Sequence, residues 1–595
     1  MKKQIIKQWF FPRVLHLAGL LTSLPSGGLG WALSSCSDLI ETDSELVEFQ
    51  KDNTLHSATD SVYSVMGIIY KLQTVADRTV LLGELRGDLV AATPSASKDL
   101  KAIANFQIDT DNAYNRISDY YAIINNCNYF LANVDKDMVR HGRTVFEREF
   151  AAVKAFRAWT YLQMAMIYGS VPLITEPQLT EDASKAAMQQ TPLDIVAICN
   201  YFIDDIKPYV DTKLPEYGDD IDKKPTKKFF IPVRALLGDL CLWAGRYMEA
   251  AQYYHDYLTS HTIFVSSDEA TGITTGTSHA AWDDTKTRDF RRATNSIKFS
   301  TDDDECLCFI PMESEEFYGV KSDLKEIFCS TDLNQKYAKV KPTKQMWQLS
   351  AKYNYCYKMV KSDNSIDTLY AERANLHDEK YLGDLRFGTV YSNDDSGEQR
   401  FSRVSSEVQK IKKYRADDKD LTDVTLYRRN MVYLRYAEAL NRARCPQSAF
   451  AVLKYGLYSD IVATEVDSIE RTENAALITF DPLYFSLSNT QGVHSRGCGD
   501  ADADTTYCLP MPQTALATRQ DTIDYQIPRV ENMIIDEMAL EGAFEGYRYY
   551  DLMRVALRRG DASYLANPVS RRTGEVDTEL KTKLMDQKNW YLPKP

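Results

Sequence analysis

The chain has 595 residues, 44% of them hydrophobic and 26% charged. That length exceeds one hydrophobic core, and that composition excludes wholesale disorder, so about two to four domains or one body built from repeats is expected. Formal net charge is −14; without the four cations of residues 1–35, 66 positive charges face 84 negative ones, which argues against a nucleic-acid partner.

Residues 1–13 (MKKQIIKQWFFPR) are basic, and Val14 to Leu24 is apolar but too short to span a bilayer as a mature helix. Leu33-Ser34-Ser35-Cys36 follows. Small residues before a Cys, behind such a stretch, match a bacterial lipobox: cleavage precedes Cys36, and acyl chains join its thiol and new amine. At about 0.8 kcal/mol per buried methylene, several chains anchor durably. An ordinary secretory signal with a chance Cys is the competing reading. Residues 1–35 therefore read as a lipoprotein signal peptide. Residues 36–55, with Asp38, Glu41 and Asp43, read as an acidic tether. No later segment reaches the ~18 consecutive apolar residues of a membrane span.

Residues 56–75 read as a helix, and residues 86–112, mixing Gly, Pro, Ser and Asp, as loop. Tyr114 to Val134 and Val145 to Tyr168 read as long helices. In the second, Glu147, Lys154, Arg157, Thr160 and Gln163 form one narrow polar stripe, so the rest should be buried. Residues 191–207 give a helix opened by Thr191-Pro192. Pro232 to Leu258 is the clearest unit: Leu236, Leu237, Leu240, Cys241 and Ala244 line one helix, Gly245-Arg246-Tyr247 turns, and Ala250, Ala251, Tyr254 and Leu258 return. Small Ala residues permit close antiparallel packing, as in a tetratricopeptide hairpin. Met431 to Leu453 repeats the plan with a turn near Cys445-Pro446, and residues 530–558 read as one strong helix. No 34-residue period links these units, so the array is interrupted. Residues 259–430 are irregular, with short alternating runs such as Cys306–Ile310 and Val408–Tyr414 that suit small strands; so long an insertion is usually functional.

Enzyme signatures are missing: there is no GxSxG, HExxH, Walker A loop or GxGxxG. The eight histidines show no metal-ligand spacing. Asp500-Ala-Asp502-Ala-Asp504 opens like a calcium loop but has Thr505 where Gly is required and Met511 where Glu is required, and reads as a solvated acidic turn. No catalytic residue, metal ligand or cofactor is assigned. Of the cysteines beyond Cys36, Cys127, Cys199 and Cys241 read as buried thiols, and Cys306 with Cys308 and Cys498 with Cys508 as disulfide candidates.

One ordered set of motifs spans almost the whole chain after Cys36. It runs through Tyr121-Ala-Ile-Ile-Asn125 and Asn128, then Glu149 to Arg157 and Tyr161, and Tyr168-Gly-Ser-Val-Pro172. It continues with Gly245-Arg-Tyr247, Gly383-Asp384-Leu-Arg386, Lys413-Tyr414, Leu426-Tyr-Arg428 and Tyr433 to Asn441. Glu541, Glu545-Gly546-Tyr-Arg548-Tyr-Tyr-Asp551-Leu-Met-Arg554 and Asn589-Trp-Tyr-Leu-Pro593 close it. In this the chain resembles the SusD/RagB family of outer-membrane nutrient-binding lipoproteins, departing from it at Met538 (usually Arg) and Tyr549 (usually Trp). The resemblance implies a mainly α fold: a SusD-like body of tetratricopeptide-type helical hairpins with an irregular region and a few short strands. The implied layout is an N-terminal half over 56–258, a ligand-site region over 259–430 and a C-terminal half over 431–595. Glu541, Glu545, Arg548, Asp551 and Arg554 recur at helical spacings and are expected to form a structural ion-pair ladder.

The resemblance also implies a lipid-anchored protein of the cell outer membrane, facing the exterior, that binds a glycan and serves a SusC-like TonB-dependent transporter. Binding is the expected activity, not catalysis. A peptide ligand, a lipid-anchored glycoside hydrolase and a protein-interaction module are the alternatives. Sugars pair apolar C–H faces with hydroxyls, which aromatic platforms and planar hydrogen-bonding groups hold. Trp282 is therefore the first platform candidate and Phe317-Tyr318 the next; the loop after the first helix adds Arg86 and Asp88.

Overall fold

The computed structural model describes residues 58–218, 225–261, 263, 305–314, 317–329, 338–353, 355–360, 365–371, 384, 386, 423–487, 490–498, 501 and 504–594. All belong to one body. Cys36, the acidic tether, Trp282 and the run 408–414 lie outside the described residues. Among the described residues no helix is long and apolar enough to cross a membrane.

Helix α1 (Ala58–Glu84) outruns the predicted 56–75, because Val80, Leu81 and Leu82 continue its buried face. The predicted loop after it holds a short strand and a seven-residue helix, Lys98–Ala104. Helices α2 (Ile117–Asn133) and α3 (Glu147–Tyr168) match their predicted ranges closely. The polar stripe of α3 is docked, not solvated: Lys154 and Arg157 both pair with Asp205 of α4 (Ile195–Ile206). Helix α4 starts three residues after Pro192. Asp194 caps it by accepting from Ala197 N at 2.8 Å, while Leu193–Asp194 pairs with Ser170–Val171 as a small ladder.

The motif residues of α2 and α3 fasten the chain that follows α3. Tyr121 Oη donates to Pro172 O at 3.0 Å, Tyr161 Oη to Ile174 O at 2.9 Å and Asn128 Nδ2 to Ile174 O at 3.0 Å. Asn125 exchanges two hydrogen bonds with the backbone of Gln178. Arg157 donates to Asn128 Oδ1 at 2.9 Å, holding that amide in place.

The clearest predicted hairpin is α5 (Val233–Ala244) and α6 (Tyr247–Ser260). Gly245 caps α5 at φ 81°, a conformation other residues resist. A Cβ at Gly238 would lie 2.5 Å from the Tyr254 ring, so glycine permits the two helices to touch there. Leu236, Leu237 and Leu240 are fully buried, each contributing about 1.5–3 kcal/mol. After α7 (Lys344–Lys352) comes the second hairpin, α8 (Arg429–Arg442) and α9 (Pro446–Lys454), with Pro446 in the first turn. Helices α2 to α6 pack in succession, α6 packs on α8, and α8 packs on α9 and on α10 (Arg519–Glu541). Helix α1 packs on α2 and, from the far end of the sequence, on α11 (Arg548–Arg559).

The single helix expected over 530–558 is two helices. Between them Phe544 and Gly546 take positive φ, 68° and 95°. The reason is contact with α1: a Cβ on Gly546 would meet Thr79 O at 2.3 Å, and one on Gly83 would meet Gly546 O at 1.7 Å. Gly546 N donates to Glu84 Oε1 at 2.8 Å. The ladder expected on that helix is therefore mostly distributed outward. Glu545 pairs with Arg428, Arg548 with Asp88, and Arg554 with Glu438; only Asp551–Arg554 stays within one helix. Such buried pairs fix how elements dock more than they add net stability.

Strands are few. β1 (Val90–Ala92) pairs antiparallel with β3 (Val340–Pro342), β2 (Cys306–Ile310) with β6 (Val424–Arg428), and β4 (Tyr355–Val360) with β5 (Ile366–Ala371). The predicted strand at 306–310 is thus present. On β2, Cys306 and Cys308 are separate buried thiols and not a disulfide. Cys508 is likewise a thiol, and exposed, while Cys498 is buried.

Candidate functional site

Beyond β2 the chain returns over α1 in a tight turn. Two polar residues on the inner face of α1, one helical turn apart, hold it. Gln73 is 2% exposed; its Nε2 donates to Pro311 O at 2.6 Å, and its Oε1 accepts from Val320 N at 2.9 Å. Gly319 takes φ 151°, and a Cβ there would lie 2.0 Å from Gln73 Oε1. Asp77 accepts from Ser322 Oγ at 2.6 Å and from Asp323 N at 2.7 Å. Burial pushes the Asp77 carboxyl up to about 6, against the pull of those two donors. Within the turn Glu313 N donates to Val320 O and Ser314 N to Phe317 O, both at 2.9 Å.

This geometry splits two adjacent aromatics. Phe317 is buried, its ring 5.7 Å from Tyr70 and 5.9 Å from Phe229. Tyr318 is 78% exposed. The turn thus anchors one ring in the core and presents the next to solvent.

Phe229 also packs on Phe309 of β2 at 5.4 Å, so the short helix Thr226–Phe229 links this turn to a neighbouring cleft. The cleft has a volume of about 820 Å³ and lies between the chain after α4, the approach to α5, the end of α6 and β2. Arg148, Lys213, Lys227 and Lys228 line it with Glu216, while Asp211 on its wall is already paired with Arg234. It is a basic recess in an acidic chain. At its edge burial lowers the pKa of His261, keeping that ring neutral near pH 7.

No family model matches the sequence, and no curated protein is significantly similar to it. Solved structures are similar. A SusD superfamily protein from Bacteroides vulgatus superposes with TM-score 0.55 at 16% identity, covering 91% of this chain and 97% of its own. A SusD-like carbohydrate-binding protein from the same species gives 0.51 at 15% identity, covering 84% and 83%. Another from Bacteroides fragilis gives 0.52 at 14% identity, covering 84% and 86%. The chain has the SusD-like fold.

Within this SusD-like body, several residues expected at the ligand have other positions. Arg86 is 1% exposed; it donates to Leu82 O, to Trp590 O and to Tyr550 Oη, at 2.8–2.9 Å, with its guanidinium 4.2 Å from the Tyr549 ring centre. Asp88 is buried and accepts both arms of Arg548, at 2.6 and 2.9 Å. The loop after α1 is drawn inward to clamp the C-terminal segment, so neither residue faces solvent. Phe317 is inside, and Tyr318 alone of the described candidates is outside. Trp159, Trp243 and Trp590 are buried, as core residues should be. Gln73 and Asp77 escaped sequence reasoning; their one signal is polarity, four residues apart, on an otherwise apolar helix face.

Proposed function

We propose that the chain is a cell-surface lipoprotein of the SusD/RagB type that binds a nutrient glycan and passes it to a TonB-dependent outer-membrane transporter. In this reading Cys36 carries the acyl anchor. The observation that carries it is the fold shared with solved SusD-like proteins, among them ones described as carbohydrate-binding, over 84% of this chain. The ordered turn at Tyr318 supports it with an aromatic face of the kind sugars stack on. Tyr318 and Trp282 are the proposed ligand contacts. Arg86, Asp88 and Phe317 serve as the scaffold behind them. The proposed activity is binding without turnover, in line with the solved SusD-like proteins described as carbohydrate-binding.

The test is calorimetric titration of the full chain, purified in detergent, against soluble polysaccharides, oligosaccharides and peptides. Heat with one glycan class, reduced in Tyr318→Ala and in Trp282→Ala, is the expected result. Binding of peptides and no glycan, or release of free sugar from a bound glycan, overturns the reading.

A further inference from the structure

The acidic stretch that reads as a solvated turn ends on a buried residue. Asp504 is 1% exposed, and beside it lie His494 and Cys498, both fully buried. Residues 494 and 498 stand one helical turn apart, with Cys498 N donating to His494 O at 3.0 Å. One ligand atom from each of the three residues lies within 4.8 Å of the others. The imidazole is fixed on every side. Its Nδ1 lies 2.5 Å from Glu537 Oε1, which is itself held by Arg386. Its face stacks on Tyr507 at 3.8 Å, and Tyr353 meets it edge-on. Its Nε2 is buried and has no hydrogen-bond partner. The atom Nε2 faces is Asp504 Oδ2, at 3.7 Å, while Oδ1 of the same carboxylate is occupied by Thr506 N and Oγ1.

That separation is too long for a hydrogen bond. It is close to the ~3.4 Å between nitrogen and oxygen ligands sharing one tetrahedral ion at bond lengths of about 2.0–2.2 Å. A carboxylate on the far ring nitrogen is the usual support for a metal-binding histidine. Imidazole, thiolate and carboxylate together suit a borderline-soft ion and not calcium or magnesium.

We propose that His494 Nε2, Cys498 Sγ and Asp504 Oδ2 bind one zinc ion, with Glu537 orienting the histidine. The ion ties the segment after α9 to the stretch before α10. A proton on His494 is the competing occupant: burial pulls that pKa down and Glu537 pulls it up, to about 9.

The experiment uses the full chain, untagged and purified in detergent. It is incubated with Zn²⁺ or Co²⁺, desalted and analysed for metal content and absorption. One metal per chain is expected, with a thiolate-to-cobalt charge-transfer band. Folded Cys498→Ser should lose that band and bind zinc at least tenfold more weakly. Where Cys498→Ser fails to fold, Asp504→Asn, a neutral near-isostere, is compared for zinc affinity instead. Failure of the wild-type chain to retain metal overturns the assignment. So does cobalt bound without the charge-transfer band, or equal zinc affinity in the folded variant.

Discussion

Removing the Asp88 carboxylate tests the placement of the post-α1 loop inside the body. The side chains of Asp88 and Arg548 are 4% and 8% exposed and meet through two hydrogen bonds. Burial opposes the Arg548 charge and Asp88 restores it, raising its pKa further above an already high value. Arg548 thus stays charged when Asp88 is removed, and that charge is left buried without its carboxylate. Breaking one side of such a pair costs about 3–5 kcal/mol. For a body of about 540 residues the unfolding entropy is about 1.1 kcal/mol/K, so Asp88→Ala should lower Tm by roughly 3–4 °C. The double variant Asp88→Ala/Arg548→Met removes the orphaned charge and should be more stable than Asp88→Ala alone. Thermal melts and urea titrations of the single and double variants measure both. Glycan affinity of the folded Asp88→Ala chain should match wild type. A cost under about 1 kcal/mol, strict additivity in the double variant, or a selective loss of glycan binding refutes the clamp and returns Asp88 to the ligand.

Gly83→Ala places a Cβ 1.7 Å from the Gly546 carbonyl oxygen, backbone against backbone. Helix α1 must shift, and a fall in Tm beyond that of Asp88→Ala is expected; an unchanged melt contradicts the close approach. Tyr318→Ala should leave Tm within 1 °C or so, because the ring is 78% exposed, yet weaken glycan binding by about 0.5–1.5 kcal/mol, roughly 2- to 12-fold in titration. Asp77→Asn tests the half-buried acid under the turn. The folded pKa of Asp77 is raised from 3.8 to about 6, so its stabilising contribution is full below pH 4 and lost as pH rises through 6. Between pH 4 and 7 wild type should therefore lose about 2 kcal/mol relative to Asp77→Asn. Parallel urea curves at both pH values, with a constant gap between the proteins, count against it.

The helical hairpins were legible because their signals are local. Leu236, Leu240 and Ala250 mark buried faces by spacing, and Gly245 marks the turn by the conformation only glycine takes easily. The positions of Arg86, Asp88 and Asp504 were not legible. An Arg-Gly-Asp stretch and an Asp-rich run look solvated in isolation, and only Arg548, Trp590 and His494 make burial tolerable. Arg548 lies 460 residues from Asp88 and Trp590 lies 504 from Arg86. The break between α10 and α11 was hidden for the same reason. Gly542 and Gly546 mark the place locally, but the cause, the backbone of α1 entering there, comes from far along the chain. Phe317 and Tyr318 show the limit at its narrowest: two neighbouring aromatics, equal in the sequence, take opposite sides of a turn held by Gln73 of α1.

The seam between α1 and the turn before α11 also sets a clock. Gly546 reaches Glu84 across 462 positions. At about 5–20 residues per second, synthesis delivers that partner roughly 25–90 s after α1 emerges. For that interval Gly83, Arg86 and Asp88 have no C-terminal partners, and the body stays open along its first helix. In the proposed exported lipoprotein, that late closure keeps the N-terminal half from locking before the last residues are made.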